Sequence, residues 1–586
     1  MAGRRLRAGP LSAEFMDGNL RDIRWHGHEA LRAISYLVRD ENWGNYPLEL
    51  SEPEAIERED AFSIRYEGTT RSKSGARLAL SVEIEGSADG RLTFAASATP
   101  DGDFVTNRCG FCILHPIVGV AGRPARVEHV DGRIEDTCFP EAIDPAQPFL
   151  DMRAITHQVT AGVSAECRME GDTFEMEDQR NWTDASFKTY VRPLALPWPY
   201  TLPKGETNRQ KITLTIQGVP ERPAADRNAP VTLTVSAPNG RRVPAFGLGF
   251  RPSEVTETLA QIADLKKIAP SHLILYFNPL EGHGRRELED YARLLEAYPA
   301  QATLECVVPC VRNPAEELAG IARDVAASGL RLSAIAVCPA PDLKSTPPGS
   351  KWPPCPPLED VYAAARTAFP GLTLGGGMFS YFTELNRKRP PVELIDFITH
   401  TTGAIVHAAD DRSVMETLEA MPFITRSVRA FAGNKPYRIG PSAIGMRHNP
   451  YGASLNDNPD GRKMTMVEND PRQKEPFAAA WLIGYAAAVA DAGLEVLTLG
   501  SLTGPFGVVD GGRRLPAFDA VRLISSLAGR DSRPVASSDP TRVLALAGGD
   551  TVLVANLTET PQAVIVEGTH HDLQPYGIAA IGVKAS

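Results

Sequence analysis

The sequence lacks the features of disulfide-stabilised and membrane-spanning proteins. Its 586 residues contain only eight scattered cysteines, so we expect reduced thiols in the core rather than a disulfide framework. Cys109 and Cys112 have the spacing of a redox or zinc pair, but no second pair with matching spacing follows. No run approaches the roughly 20 apolar residues that span a bilayer. The first residues carry arginines without an apolar segment, so we expect no signal peptide.

Positive charge is also in short supply. The chain has 61 Lys and Arg against 72 Asp and Glu, which gives a formal net charge of −11. A net negative charge disfavours binding to nucleic-acid backbones and anionic membranes, so we predict neither as a partner. We predict a small-molecule partner instead. These features together predict a soluble, cytoplasmic protein, and they leave its oligomeric state open.

The motifs of the common nucleophilic and nucleotide-binding enzymes are missing. The sequence contains no Gly-x-Ser-x-Gly elbow, no P-loop and no His-Glu-x-x-His pair. This argues against a serine hydrolase of the α/β type and favours general acid/base chemistry by carboxylates and histidines.

The chain divides into three successive parts that differ in their pattern of apolar and polar residues. From about residue 17 to 235, runs such as 77–85, 91–97 and 211–216 alternate apolar and polar residues between turn residues. Period-two alternation is typical of antiparallel strands that cover one core. We therefore predict an N-terminal antiparallel β-sandwich over residues 1–238.

The middle of the chain, residues 239–530, predicts a (β/α)₈ barrel of the TIM type. Eight short apolar runs alternate there with helical patterns, as expected for parallel strands joined by helices. An open doubly wound sheet is the alternative, but no Gly-x-Gly-x-x-Gly turn follows the first run. The predicted strands are 243–250, 272–278, 302–308, 332–338, 372–377, 394–400, 437–444 and 494–500.

A small β domain is predicted over residues 531–586, where short strand patterns return. The resulting order of β domain, barrel and β domain is common among carbohydrate-active barrels. That is an analogy of fold and fixes no chemistry.

The barrel indicates where catalytic residues should lie, because active sites in this fold form at the carboxyl ends of the strands. Glu305 interrupts the otherwise apolar third strand, and a buried carboxylate is costly unless it is paired or faces the barrel mouth. Glu384 follows a glycine run after the fifth strand, and His407 follows the sixth. We predict these three as catalytic residues, with a structural ion pair as the alternative for Glu305.

Other polar side chains in the same loops are predicted to bind the ligand. Arg447 and His448 would supply positive charge for a carboxylate or an oxyanion. Asp410 could equally cap the helix that begins at Asp411. The His and Asp residues match no strong metal template, so no cofactor is predicted, although a divalent ion stays open. The predicted binding residues are Asn278, Asn386, Arg387, Asp410, Asp411, Arg447 and His448.

One segment of the N-terminal domain, residues 174–190, concentrates Asp, Arg, Asn and Trp residues. Trp182 offers a face on which a sugar ring could stack, and Arg180 and Asp184 are predicted to bind the ligand beside it. The alternative is a structural polar network.

Several of these segments together resemble the D-apionate lactonase family. The resemblance implies a β-sandwich, a glycosidase-like barrel and a C-terminal β domain, as the patterns above also predict. It further implies hydrolysis of D-apionolactone to D-apionate in bacterial apiose catabolism. The segments that carry it are 177–190, 382–387, 406–411 with 415–418, 447–450 and 499–507.

The predicted mechanism uses carboxylates at the barrel mouth. Glu305 or Glu384 would deprotonate a water that attacks the lactone carbonyl, and the other would protonate the departing ring oxygen. Arg447 or His407 would stabilise the oxyanion. Two alternatives stay open: a glycoside hydrolase that uses the same two carboxylates, and a sugar-binding protein without catalytic activity.

Overall fold

The structure, a computed structural model, describes residues 3–347 and 349–583. Two compact units make up the chain. The first comprises Met1–Arg180 with Ala185–Arg227, and the second comprises Asn181–Asp184 with Asn228–Ser586. The short segment Asn181–Asp184 therefore packs with the second unit. None of the described helices is both long and apolar enough to cross a membrane.

The first unit is a large antiparallel β structure with a 17-stranded sheet and a two-stranded sheet. The alternation of apolar and polar residues in the sequence corresponds to an alternation of buried and more exposed side chains. Along Arg77–Ser87, every second side chain is buried. The predicted antiparallel strands are confirmed. The strands are Arg4–Ala8, Leu11–Met16, Asn19–Trp25, His28–Arg39, Glu49–Leu50, Glu54–Glu57, Ala61–Arg71, Arg77–Ser87, Arg91–Pro100, Phe104–Thr106, Arg108–Pro116, Pro124–His129, Ile134–Cys138, Phe149–Thr160, Val163–Glu170, Phe174–Asp178, Ser186–Val191, Tyr200–Leu202 and Asn208–Gly218.

The second unit contains a closed barrel of eight parallel strands, which confirms the predicted fold. The last strand pairs in parallel with the first, with Val496 opposite Ala245, so an open doubly wound sheet is excluded. The strands are β1 (Ala245–Phe250), β2 (His272–Phe277), β3 (Gln301–Val308), β4 (Ala334–Pro339), β5 (Thr373–Met378), β6 (Phe397–His400), β7 (Tyr437–Ser442) and β8 (Val496–Leu499).

Helices connect these strands. One helix predicted over 253–268 is interrupted at Gln261, whose φ of −105° and ψ of 22° lie outside the helical range. A short helix after β5, which carries Glu384, was not predicted. The helices are α1 (Val255–Ala260), α2 (Ile262–Ile268), α3 (Arg285–Ala297), α4 (Pro314–Ser328), α5 (Leu358–Ala368), α6 (Phe382–Arg387), α7 (Asp411–Ala432), α8 (Pro476–Ala488) and α9 (Pro516–Leu527).

A small β domain of two four-stranded sheets follows the barrel. Its strand Val231–Val235 comes from the chain before the barrel and pairs in parallel with Gln562–Val566. This corrects the predicted boundary at residue 238, because Val231 and Leu233 lie in the core of this domain. Its other strands are Ser532–Arg533, Val535–Ser537, Val543–Gly548, Thr551–Asn556, Thr569–Leu573 and Ile578–Gly582.

Candidate active site

A cleft of about 960 Å³ opens at the carboxyl ends of the barrel strands, where enzymes of this fold carry out their chemistry. It is lined by the loops after β2, β4, β7 and β8. Three predicted residues, Asn278, Arg447 and His448, line it. The other lining residues are Leu280, Glu281, Ala340, Leu343, Lys344, Asn449, Ala453, Ser454, Leu455, Asn456, Asp457, Asn458, Pro459, Glu468, Asn469 and Pro505.

The long loop after β7 is shaped by its own asparagines. The Asn449 amide donates to the carbonyl oxygen of Ser454 at 2.6 Å. The Asn458 amide donates to the carbonyl oxygens of Arg462 and Asn469, at 2.9 and 3.2 Å. Side-chain bonds to the main chain replace regular secondary structure here, so they fix one wall of the cleft.

Arg447 and Glu305 form a buried ion pair at this cleft. The guanidinium approaches the two carboxylate oxygens at 2.5 and 3.3 Å, and the side chains are only 6% and 3% exposed. Burial opposes the charge of Arg447, but the neighbouring Glu305 carboxylate outweighs it and raises the pKa of the arginine. The pair is neutral overall, and its carboxylate holds the Arg447 guanidinium in a fixed position through both Glu305 oxygens.

Asn278 is fixed at the end of β2. Its amide nitrogen donates to the Tyr276 hydroxyl at 3.1 Å and to Glu281 Oε1 at 2.8 Å. Its side-chain oxygen accepts from the main-chain N–H of Leu280 at 3.1 Å. Asn278 thus organises the loop after β2 at the edge of the cleft.

His448 does not supply the positive charge that its position predicted. Burial, reinforced by Arg447, lowers the pKa of His448 well below its usual value, so the imidazole is neutral at neutral pH. Its Nε2 is buried and has no hydrogen-bond partner among the described residues. The Tyr381 hydroxyl donates to the main-chain oxygen of His448 at 2.8 Å.

Glu384 lies in α6 and is buried, but it does not line the cleft. The Ser380 hydroxyl donates to its Oε2 at 3.1 Å, and Oε1 has no hydrogen-bond partner among the described residues. Burial raises the pKa of Glu384 to about 7, although the charge of Arg387 opposes this rise. Such a group holds its proton up to neutral pH.

His407 pairs with Asp184, whose side chain lies 2.6 Å from Nδ1. An Asp at one ring nitrogen fixes the tautomer and the orientation of an imidazole. The Trp182 ring lies perpendicular to His407, with 5.9 Å between centroids. Tyr451 covers Trp182 at 5.2 Å and is itself 56% exposed. Since Trp182 is only 2% exposed, it does not offer the open face predicted for stacking on a sugar.

The residues that follow Glu384 hold this cluster in place. The Arg387 guanidinium lies 5.4 Å from the Trp182 ring centroid and donates to Ser345 Oγ at 2.7 Å. The buried Asn386 side chain donates to the Asn181 side chain at 2.9 Å. Asn386 therefore anchors the segment Asn181–Asp184 rather than facing the cleft.

Arg180 is a structural residue, contrary to its predicted role in ligand binding. It is fully buried in the first unit, where Nε and Nη2 lie 2.8 and 2.6 Å from Asp178. It also donates to the carbonyl oxygens of Glu141 and Pro140, at 3.1 and 2.8 Å. A buried arginine needs such partners, and they engage each of its nitrogens.

Asp410 and Asp411 also have local structural roles and do not line the cleft. Asp410 accepts from the main-chain N–H of Ser413 at 3.0 Å and so caps α7. Asp411 forms ion pairs with Lys463 at 2.8 Å and Arg472 at 3.4 Å. For Asp410, the capping alternative holds.

The sequence-based search missed Glu254, which follows β1 at the barrel mouth. It is 5% exposed, its Oε2 accepts from the main-chain N–H of Arg251 at 3.1 Å, and its Oε1 has no hydrogen-bond partner among the described residues. Burial raises its pKa to about 7. Glu254, like Glu305 and Glu384, satisfies the rule that catalytic residues lie at the carboxyl ends of the barrel strands. It was missed because residues 253–268 were interpreted only as a helix.

Across residues 3–347 and 349–583, no group of three or more His, Cys, Asp and Glu side chains is arranged to hold a metal ion.

Family models for the D-apionate lactonases match three parts of the chain. The N-terminal domain matches over residues 1–219, and the TIM barrel domain over residues 246–529. The C-terminal immunoglobulin-like domain matches over residues 540–581.

A curated D-apionate lactonase from Brucella anthropi is 50% identical over 583 residues, which are 98% of this chain and 96% of that protein. A family 39 glycoside hydrolase from Bacteroides cellulosilyticus has 10% identity and a TM-score of 0.36, with coverage of 83% of this chain and 96% of that one. A β-glucuronidase from Ruminococcus gnavus has 10% identity and a TM-score of 0.31, with coverage of 76% and 66%. Likenesses to solved structures at this level do not indicate a shared reaction.

The chain is therefore a lactone-hydrolysing enzyme whose middle domain is a TIM barrel, and the alternative of a sugar-binding protein without activity is wrong. It belongs to the D-apionate lactonase family, as the sequence motifs predicted.

Proposed function

We propose that the substrate is D-apionolactone, which the enzyme hydrolyses to D-apionate at the mouth of the barrel, and that it does so in the cytoplasm. Identity of 50% over nearly the whole length of a D-apionate lactonase supports this substrate. The observation that carries the site assignment is the fixed charge of Arg447 at a polar cleft on the catalytic side of the barrel.

Arg447 is the group that stabilises the oxyanion. When water adds to a lactone carbonyl, negative charge moves onto the carbonyl oxygen, and a donor fixed beforehand stabilises that charge without reorganising. Glu305 acts as a positioning residue, because its two oxygens hold the guanidinium in place. This replaces the predicted use of Glu305 as either the base or the acid.

Glu384 is our candidate source of the proton for the departing ring oxygen, which it would deliver through a bound water because its carboxyl does not line the cleft. A pKa of about 7 lets this carboxyl hold a proton at neutral pH and release it during the reaction. His407, oriented by Asp184, would bind a polar group of the substrate.

The glycosidase alternative receives no support from this geometry. It needs two carboxyl groups that face one glycosidic bond, but Glu305 is tied to Arg447 and Glu384 does not line the cleft. Activity on aryl glycosides without activity on lactones would restore it.

The test is proton release from a panel of aldonolactones that includes D-apionolactone, with and without EDTA. We expect fast turnover of D-apionolactone in both arms. Replacement of Arg447 by Ala should lower kcat about 10²–10³-fold, the usual loss for one oxyanion donor. Turnover of another lactone in its place would overturn the substrate assignment, and loss of activity in EDTA would show that a metal takes part.

A further inference from the structure

A small recess lies beside the cleft, between the carboxyl ends of β1, β2, β7 and β8. Its volume is about 20 Å³, and its polar lining residues are Arg251, Glu254, Tyr276, Arg447 and Ser501. Arg447 lines both the recess and the cleft. A group held in the recess therefore lies next to the arginine that would stabilise the oxyanion.

The recess has the size and the lining of a site for one water molecule. A water needs roughly 10–15 Å³ of such volume and two to four polar partners. The polar residues around it carry the Glu254 carboxyl, two guanidinium groups and the hydroxyls of Tyr276 and Ser501. Apolar walls come from Phe250, Ile274, Pro441 and Phe506.

Glu254 is held so that one oxygen is engaged and the other is not. Oε2 accepts from the Arg251 N–H at 3.1 Å, whereas the buried Oε1 has no partner among the described residues. Gly504, in the loop after β8, allows this placement: a Cβ there would lie 2.5 Å from Oε1, and its φ of +80° also favours glycine. A buried carboxylate oxygen without a hydrogen-bond partner costs folding free energy. A role in the reaction therefore explains the burial of Glu254 better than a role in stability does.

We propose that Glu254 binds, in this recess, the water that attacks the lactone, and that it is the general base of the reaction. This inference rests on the proposed lactonase chemistry at the same site. The water O–H bond breaks as its oxygen bonds to the carbonyl carbon, and the proton passes to Glu254. The bond from that carbon to the ring oxygen then breaks, and the ring oxygen takes a proton from the acid. Solvent restores both carboxyl groups, with net release of one proton as the product acid ionises.

The surroundings of Glu254 suit a base that works near neutrality. Burial raises its pKa to about 7, and the Arg251 N–H and the charges of Arg251 and Arg447 oppose this rise, while Glu468 adds to it. Glu468 is itself paired with Arg251. The best general base has a pKa close to the working pH.

The test compares the full-length Glu254→Gln enzyme with wild type and with Glu257→Gln, an exposed control on α1. We expect Glu254→Gln to lower kcat by about 10²–10⁴-fold with little change in KM or melting temperature. The acidic limb of the kcat profile, centred near pH 7, should disappear. Glu257→Gln should behave as wild type.

Two further variants separate catalysis from folding. Glu254→Asp keeps a carboxyl, so it should fold, keep an acidic limb and lose part of kcat. Glu254→Ala should be partly rescued by added formate. A wild-type profile and a kcat within threefold of wild type in Glu254→Gln would overturn the role of Glu254 but leave the lactonase proposal intact. Absence of lactone turnover by wild type would overturn both.

Discussion

Removal of the Glu305 carboxylate should have a large effect on both stability and rate. Glu305→Gln leaves the Arg447 guanidinium buried without its counter-charge, because both side chains are almost inaccessible. Loss of one partner from a buried ion pair costs about 3–5 kcal/mol in the free energy of unfolding. The Gln amide oxygen keeps one of the two contacts that orient the guanidinium, at 2.5 and 3.3 Å, and its NH2 group loses the other, so kcat should fall by about 10²-fold, as for loss of an oxyanion donor.

Urea unfolding, followed by tryptophan fluorescence, to which the buried Trp481 in α8 contributes, measures the first effect, and lactone hydrolysis measures the second. The double variant Glu305→Gln/Arg447→Met removes the uncompensated charge, so it should recover part of the lost stability and none of the activity. Glu316→Gln, an exposed change on α4, is the control. A Glu305→Gln enzyme that unfolds at the wild-type urea concentration with wild-type kcat would refute this reasoning.

Three further predictions concern other parts of the second unit. Glu384→Gln should lower kcat at least 10²-fold. The pKa of Glu384 is about 7 in the folded protein, against 4.5 for an exposed Glu. The protonated carboxyl therefore stabilises the fold at low pH, and this stabilisation is lost as the pH rises from about 4.5 to 7. Over this range, the free energy of unfolding should fall less in Glu384→Gln than in wild type. Asp184→Asn removes the carboxylate that pairs with His407 and should raise KM with less effect on kcat; a fall in kcat at unchanged KM would contradict a binding role for His407. A chain that begins at residue 239 should unfold at lower temperature than one that begins at 228, because it lacks Val231–Val235; equal melting temperatures would contradict the pairing.

The barrel was predictable because each strand is a short apolar run between turn residues, and each run is buried as a whole. The eight predicted strands match β1–β8 within a few residues at each end. Strand Val231–Val235 was assigned to the wrong domain, because its partner, Gln562–Val566, lies more than 300 residues away in the chain. Local patterns carry no information about such a pairing.

The site was predictable in position but only partly in role. The rule that locates catalytic residues at strand ends led to Glu305 and Arg447, and the structure brings these two together. The same rule could not show that Arg180 is fully buried against Asp178, because that depends on packing within the β structure. Glu254 was missed because a carboxylate at the start of a helix looks like an ordinary helix-initiating residue.

The central claim is lactone hydrolysis by carboxyl groups beside a fixed arginine. Its most direct test is the rate of proton release from D-apionolactone by the wild-type enzyme and by the Arg447→Ala enzyme, each measured from pH 5 to 9. The account predicts rapid turnover by wild type with a maximum near pH 7, where the base Glu254 has lost its proton and the acid Glu384 still holds its own. In the variant it predicts a loss of about 10²–10³-fold in kcat. No turnover by folded wild-type enzyme, or equal rates for the two enzymes, would contradict it.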